Sequence, residues 1–237
     1  MPTGLVAILV LTAVELETRA LARALSLPPL PSLPFLAFGR GTLRIAPIGI
    51  GAGRLKERWP ALVSVSDCPL VVSAGVCGAL DPRLHVGDLV VCDSVIDGFG
   101  ARLSVTASAS QRAAAARGAN ASTGAMVSAS QVVTTPEAKA ALRAKTGGVA
   151  VDVESAAILE AAAMHGCASM VLRGISDDAR ETLPEELVAL LDADGRIRTS
   201  GVFALARPRV LAAALRLKRA SRHALGNVAG SLARLAA

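Results

Sequence analysis

Three carboxylates and two glycine turns are the residues of this chain whose types and spacing can do chemistry. Glu17 lies in Thr12-Ala13-Val14-Glu15-Leu16-Glu17, just after an apolar run. Glu154 opens an alanine-rich helix, and Asp177 follows a second apolar run in Gly174-Ile175-Ser176-Asp177-Asp178. Each acid stands at the end of an expected strand, where ligands bind in open α/β sheets. Each also has a plainer reading. An acid in the first turn of a helix complements the helix dipole, with Glu15 competing with Glu17 for that role, and an Asp after a strand is often the N-cap of the next helix. The glycine turns are Gly49-Ile50-Gly51-Ala52-Gly53-Arg54, which is not a dinucleotide fingerprint, and Gly75-Val76-Cys77-Gly78-Ala79-Leu80. Glycines there allow a backbone to approach a ligand closely. A nucleophile elbow, a phosphate-binding Walker loop and a Cys-x-x-Cys pair are all missing. His85, His165 and His223 show no metal-ligand spacing.

The elements that must position these residues alternate. Leu5–Leu11 reads as a strand buried on both faces and Glu15–Leu25 as a helix. Phe35–Phe38 and Leu43–Ile48 read as a hairpin through Gly39–Gly41, and a helix interrupted by Pro60 follows Arg54. Pro69–Ala74 is a strand that runs into the second glycine turn, and Val86–Val91 begins the next. Ser108–Thr123 reads as a surface helix or excursion and Ala125–Val133 as a strand. Thr135 caps a helix over Pro136–Lys145, with Pro136 in its first turn. Val149–Asp178 then gives strand, helix and strand; Glu185–Leu191 is a short helix and Pro208–Leu235 a long one. This order predicts a single α/β domain over 1–237. Its sheet is mixed, twisted and partly barrel-like, helices cover both faces, and 196–237 form a basic helical extension.

Composition narrows the class. The hydrophobic fraction is 52% and mean hydropathy +0.51, much of it alanine, yet no apolar run reaches the roughly 18 to 20 residues of a membrane span. The N-terminal apolar segment lacks a basic start and runs into acids, so a buried strand is expected rather than a signal peptide. Cys68, Cys77, Cys92 and Cys167 sit in apolar contexts and are expected as buried free thiols of a reducing cytoplasm. With 2% aromatics and no tyrosine, no nucleic-acid partner that stacks bases is expected. The net charge of +6 is uneven: all 19 acids lie at or before Asp194, with nine of the 25 Lys and Arg after it. A near-neutral body with a basic tail results.

Together these motifs resemble the nucleoside phosphorylase/nucleosidase superfamily. The matching elements are Ala13–Glu17, Gly49–Gly51, Gly75–Leu80 followed by Gly87-Asp88, Val151–Ala157 and Arg173–Asp177, in the family's order. The resemblance implies cleavage of a purine–ribose bond through an oxocarbenium-like transition state. Asp177, held neutral or sharing a proton in a dry site, would protonate the base; Glu154 would bind the ribose hydroxyls, with Val153 packing on the sugar; Glu17 would hold the attacking water. Gly75, Val76 and Cys77 would lie beneath base and ribose, and Ser176 and Val132 would complete the substrate site. No cofactor or metal is implied, with phosphate as the one co-substrate to consider. A purine nucleoside is the expected partner, and a homo-oligomer the expected assembly.

Departures from the family shape the reading. Ser73 and Val76 stand where phosphorylases of this superfamily carry an Arg and a Ser that bind phosphate, which leans toward hydrolysis, although Arg54 or Arg19 would offer another arrangement. Val132 replaces a base-stacking Phe, so stacking is weaker or comes from Phe99. From Asp177 to Pro184, and again at Ala193–Ile197 and the arginine-rich helix, the chain resembles the hopanoid-associated nucleoside phosphorylases, implying release of adenine from adenosylhopane. The alternatives are a methylthioadenosine/S-adenosylhomocysteine nucleosidase and a non-catalytic nucleoside-binding or membrane-associated protein. On a helical wheel Val210, Leu211, Leu225, Val228, Leu232 and Leu235 oppose Arg209, Arg216, Arg219, His223 and Arg234. Such a helix either lies on the inner membrane surface or packs on the domain with its arginines in water.

Overall fold

The structure is a computed structural model, and it describes residues 7–63, 69–118, 120–189 and 207–237. Strands β1 (Ile8–Thr12), β2 (Phe38–Arg40), β3 (Leu43–Pro47), β4 (Leu70–Ala79), β5 (Leu89–Ile96), β6 (Arg102–Ser104), β7 (Ala121–Ser128), β8 (Ala150–Asp152) and β9 (Ser169–Asp177) form one mixed sheet. Strand β4 pairs with β9, β9 with β5, β5 with β7, β7 with β8, and β8 with β4. These five strands therefore close on themselves, which removes two sheet edges. From β4 the sheet continues open through β1, β3 and β2, and β6 extends it beyond β5. The expected mixed, partly barrel-like α/β sheet is what the chain forms.

Helices α1 (Glu15–Ala24), α2 (Leu55–Leu62), α3 (Ala109–Ala116), α4 (Pro136–Thr146), α5 (Ser155–Met164), α6 (Glu185–Ala189) and α7 (Pro208–Ala236) cover the sheet. Strand β1 shows why both faces need cover. Ile8 and Val10 enter one core with Leu21 of α1 and Leu225, Val228 and Leu232 of α7, while Leu9 and Leu11 enter another with Trp59 of α2 and Ile158 of α5. Side chains alternate along a strand, so a continuous apolar run demands two apolar layers. Local sequence starts the helices. Thr135 Oγ1 accepts the N–H of Ala138 to cap α4, which Gly147 ends in the left-handed region, and Ser108 with Gln111 forms a capping box on α3.

Several expected boundaries differ. The first hairpin strand is Phe38–Arg40 rather than Phe35–Phe38, and β5 starts at Leu89 rather than Val86. Strand β7 ends at Ser128, so Val132 lies in the following loop. The second glycine turn is not a turn. Strand β4 runs on to Ala79, because pairing with β9 continues to Gly78 and Gly75, at φ +146°, supplies the bend within the strand. On α7, Leu211 is exposed while Val210, Leu225, Val228 and Leu232 are buried, so the helix packs on the domain. Among the described residues no helix is long and apolar enough to cross a membrane. Residues 190–206, which hold the end of the expected Glu185–Leu191 helix and the Ala193–Ile197 motif, lie outside the described residues. Cys77 and Cys92 are buried free thiols as expected, but Cys167 is in a disulfide.

Candidate functional site

One buried arginine organises the site. Arg173 sits in the middle of β9, fully enclosed, and faces Asp152 Oδ2 at 3.0 Å and Glu154 Oε2 at 3.5 Å. Its Nη2 also donates to Ser73 Oγ at 2.9 Å. Ser73 Oγ lies 2.9 Å from Ser155 Oγ, and Ser155 Oγ donates to Asp152 Oδ2. The hydrogen bonds therefore run in a ring, Arg173 to Ser73 to Ser155 to Asp152, closed by the ion pair back to Arg173. A buried charge needs this degree of pairing to be tolerated. Burial opposes the charge on Arg173, but Asp152, Glu154 and Glu17 outweigh it and raise its pKa above the ordinary arginine value.

Glu17 reaches this centre from α1. Its Oε2 accepts the N–H groups of Ala13 at 3.0 Å and Val14 at 3.3 Å, which is the helix-capping role, while Oε1 accepts the N–H of Val76 on β4 at 2.8 Å. Burial raises its pKa, against the pull of Arg173 and these N–H donors. Glu15 instead pairs with Arg19 along α1. Glu154 does not cap its helix. Asp152 Oδ1 accepts the N–H of Ser155, and Glu154 Oε1 accepts the N–H of Gly51 at 3.1 Å, across 103 residues of chain. The first glycine turn makes that reach possible, with Gly49 at φ +81° and Gly51 at φ +62°. Burial is the main cause that pushes Glu154 up to about 7, opposed by Arg173 and assisted by Asp152 and Glu17.

Asp177 is the last residue of β9. The pairing with β4 slips between Cys77 and Gly78, so that Ser176 is an extra residue and Asp177 faces Gly78. Such a bulge re-aims a side chain, and a Cβ on Gly78 would lie 2.9 Å from Asp177 Oδ2. Ser176 Oγ lies 2.8 Å from Asp177 Oδ1 and 3.2 Å from the Cys77 carbonyl, and its single hydrogen serves one of them at a time. The partner of Asp177 is unexpected. Lys139 of α4, with no exposed surface, places Nζ 2.6 Å from Asp177 Oδ2. Asp177, expected to be held neutral or to share a proton in a dry site, is buried and has this lysine as its partner. Asp178 turns away, accepting the N–H of Arg180.

The remaining expected residues divide. Gly75 and Val76 adjoin Glu17 and Arg173. Cys77 offers only backbone to the site, since its thiol is buried in the main core, where burial pushes its pKa up. Val153, half-buried, joins Asp152 to Glu154. Val132 is exposed in its loop, and among the described residues no hydrogen bond or core contact ties it to the carboxylates. Phe99 is fully exposed at the tip of the β5–β6 turn and stacks on nothing among the described residues. Arg54 pairs with Glu57 on the surface. Among the described residues no cluster of histidine, cysteine and carboxylate side chains could hold a metal ion.

The model of the Phosphorylase superfamily matches residues 8–204, most of the chain. This chain belongs to the phosphorylase superfamily. Searching curated proteins by sequence finds no match. Solved structures of similar fold include the 5′-methylthioadenosine/S-adenosyl homocysteine nucleosidase of Helicobacter pylori, at 19% identity and TM-score 0.68 with 98% of each chain covered. The futalosine hydrolase of the same organism matches at 19% identity and TM-score 0.69, covering 98% of this chain and 97% of that one. The nucleosidase of Neisseria meningitidis, solved with methylthio-immucillin-A, matches at 20% identity and TM-score 0.68, covering 96% and 97%. At these identities the likeness concerns the fold, and the superfamily core extends across all the carboxylates described above.

Two residues that the site gathers, Arg173 and Lys139, are not among the expected site residues. Arg173 was visible as one charge inside the apolar run Met170–Ile175, a placement that calls for a buried partner. Lys139 had no such signal: in Glu137-Ala138-Lys139-Ala140-Ala141-Leu142-Arg143 it looks like its exposed neighbours.

Proposed function

We propose that the protein hydrolyses the N-glycosidic bond of a 5′-substituted adenine nucleoside, with adenosylhopane as the substrate that residues Asp177–Pro184 single out by resemblance. The observation that carries hydrolysis is the charge around Arg173. Three carboxylates, Glu17, Asp152 and Glu154, surround this one guanidinium, and Ser73 Oγ is already engaged by Arg173 and Ser155. An arriving phosphate dianion would meet excess negative charge, whereas a water molecule meets basic carboxylates.

In this reading Glu154 accepts the ribose hydroxyls and supports positive charge at C1′. Glu17, held by three backbone N–H groups and made more basic by burial, takes a proton from the water that attacks C1′. Asp177 faces the base and delivers a proton to its ring nitrogen as the bond to C1′ breaks. No cofactor enters these steps. Structural relatives that bear nucleosidase and hydrolase names support the class of reaction, and the 5′ group is the finer part of the proposal. Incubation with adenosine, methylthioadenosine and adenosylhopane, with and without phosphate, tests it. Free adenine and the free sugar, identified by mass and independent of phosphate, are expected. Strict phosphate dependence with a sugar 1-phosphate product would overturn hydrolysis.

A further inference from the structure

Lys139 is the most enclosed cation of the site that the mechanism above leaves unused. It projects from the first turns of α4, with no exposed surface. Its ammonium has three hydrogens and three acceptors: Asp177 Oδ2 at 2.6 Å, the Asp178 carbonyl at 2.7 Å and the Glu181 carbonyl at 3.2 Å. Packing alone gives no reason for this arrangement. Leu142, on the same helix, packs with Leu80, Val127 and Val151, and a buried ion pair can often be replaced by apolar side chains at no cost in stability. What the pair does supply is an N–H donated from Nζ to Oδ2, out of water, at the end of β9 where the leaving base is read to sit.

We propose that Lys139 is the store of the proton that reaches the departing base, acting through Asp177 as a positioning and proton-supplying residue. The inference rests on the reading of Asp177 as the acid of the base. The proton balance is closed. The Nζ–H bond breaks as an O–H bond forms on Asp177, giving a neutral amine and a carboxylic acid. The acid's O–H breaks as an N–H forms on the base, which leaves with the electron pair of its bond to C1′. Asp177 is again a carboxylate and Lys139 an amine. Water has meanwhile left its hydroxyl on C1′ and its proton on Glu17. Solvent entering as products depart removes the proton from Glu17 and returns one to Lys139, so enzyme and charge are restored.

The three bonds also fix the chain that follows the acid. By holding the carbonyls of Asp178 and Glu181, Lys139 ties the segment after β9 to α4, as the Leu183 N–H does by donating to the Thr134 carbonyl. A purely structural lysine would do only this, so the test must separate anchoring from proton supply.

The leaving group separates them. Adenine must be protonated to depart, whereas 4-nitrophenolate departs unaided, so adenosine and 4-nitrophenyl riboside are compared at saturating concentration on wild type, Lys139→Met and Lys139→Arg. General acids contribute about 100-fold or more to rate. The expected result is therefore a fall of about that size in kcat for adenosine in both variants, with only a few-fold change for the nitrophenyl riboside. Lys139→Arg is informative because arginine keeps the cation and the anchor but does not release a proton, and it carries the test if Lys139→Met does not fold. Equal loss on both substrates, or adenosine turnover by Lys139→Arg at the wild-type rate, overturns the proposal and leaves Lys139 as an anchor. A wild-type enzyme that releases adenine from no nucleoside overturns the underlying reading, and that outcome is visible before any variant is made.

Discussion

Gly75 leaves Glu17 the space it occupies: a methyl group at position 75 would lie 2.6 Å from Glu17 Oε1 and 2.8 Å from Arg173 Nη1. Neither neighbour can yield cheaply, because Glu17 is held by three backbone N–H groups and Arg173 by the ring through Ser73 and Asp152. The backbone at Gly75 is also at φ +146°, which side chains with a Cβ rarely adopt. Gly75→Ala should therefore abolish adenine release while lowering stability by about 1–3 kcal/mol, the usual range for overpacking. Single-turnover assays and thermal unfolding check this. Wild-type kcat in the variant would mean that Glu17 takes no part in the chemistry.

Arg173 is the only cation paired with Asp152 and Glu154 among the described residues. Arg173→Met would leave three buried carboxylates facing one another, and breaking a buried pair in this way costs about 3–5 kcal/mol. The loss should depend on pH. Without the guanidinium the carboxylates bind protons more readily in the folded state than in the unfolded chain, so the variant gains stability as pH falls. Its unfolding midpoint should therefore approach that of wild type from pH 8 toward pH 5. A deficit that is constant over that range would show that the lost guanidinium acts through packing rather than charge.

How far the sequence disclosed this site depended on range. Glu17, Glu154 and Asp177 were visible because each ends or follows an apolar run, and strand ends are where an α/β sheet gathers its functional groups. Their plainer readings separate only in three dimensions. Glu17 caps α1 with one oxygen and reaches β4 with the other, whereas Glu154 leaves its helix cap to Asp152. Gly75 looked like a turn because glycine usually marks one; pairing to β9 on one side of β4 overrode that preference. Closure of the five-stranded ring depends on β8 meeting β4 through Gly78 and Ala79, a contact between residues some 70 positions apart that no local pattern encodes. For the same reason Lys139 was invisible, since its burial follows from where the chain after Asp177 crosses α4.

The seat of α7 on the sheet is equally specific. A Cβ on Gly174 would lie 2.8 Å from Ala224 Cβ and 2.9 Å from the Ala224 carbonyl oxygen, so the helix touches β9 backbone to backbone. Gly174→Val should push α7 away from the strand that carries Arg173 and Asp177. The expected result is a loss of about 1–3 kcal/mol from overpacking and a lower kcat, because both residues ride on β9. Chemical denaturation and adenine-release kinetics test the two parts. A variant of normal stability would show that α7 can move without strain.

Glu154 sets the pH dependence. Its folded pKa is pushed to about 7, chiefly by burial, while in the unfolded chain it returns to the ordinary carboxylate range of about 4.3. Between those values the folded protein binds more protons than the unfolded chain. Stability is therefore greatest below the unfolded value and is lost as pH rises through 7. Activity should run the other way, because the proposed acceptance of hydrogen bonds from ribose hydroxyls requires the carboxylate, so kcat/KM should rise through pH 7. Glu154→Gln keeps the shape and cannot ionise. It should remove this limb from the activity profile, lower kcat/KM at pH 8 by about 10-fold or more as a charged hydrogen bond is lost, and make the protein more stable than wild type above pH 7. Activity profiles and unfolding midpoints measured from pH 5 to pH 9 on both proteins decide the point. A limb near 7 that survives in Glu154→Gln would assign the titration to another group.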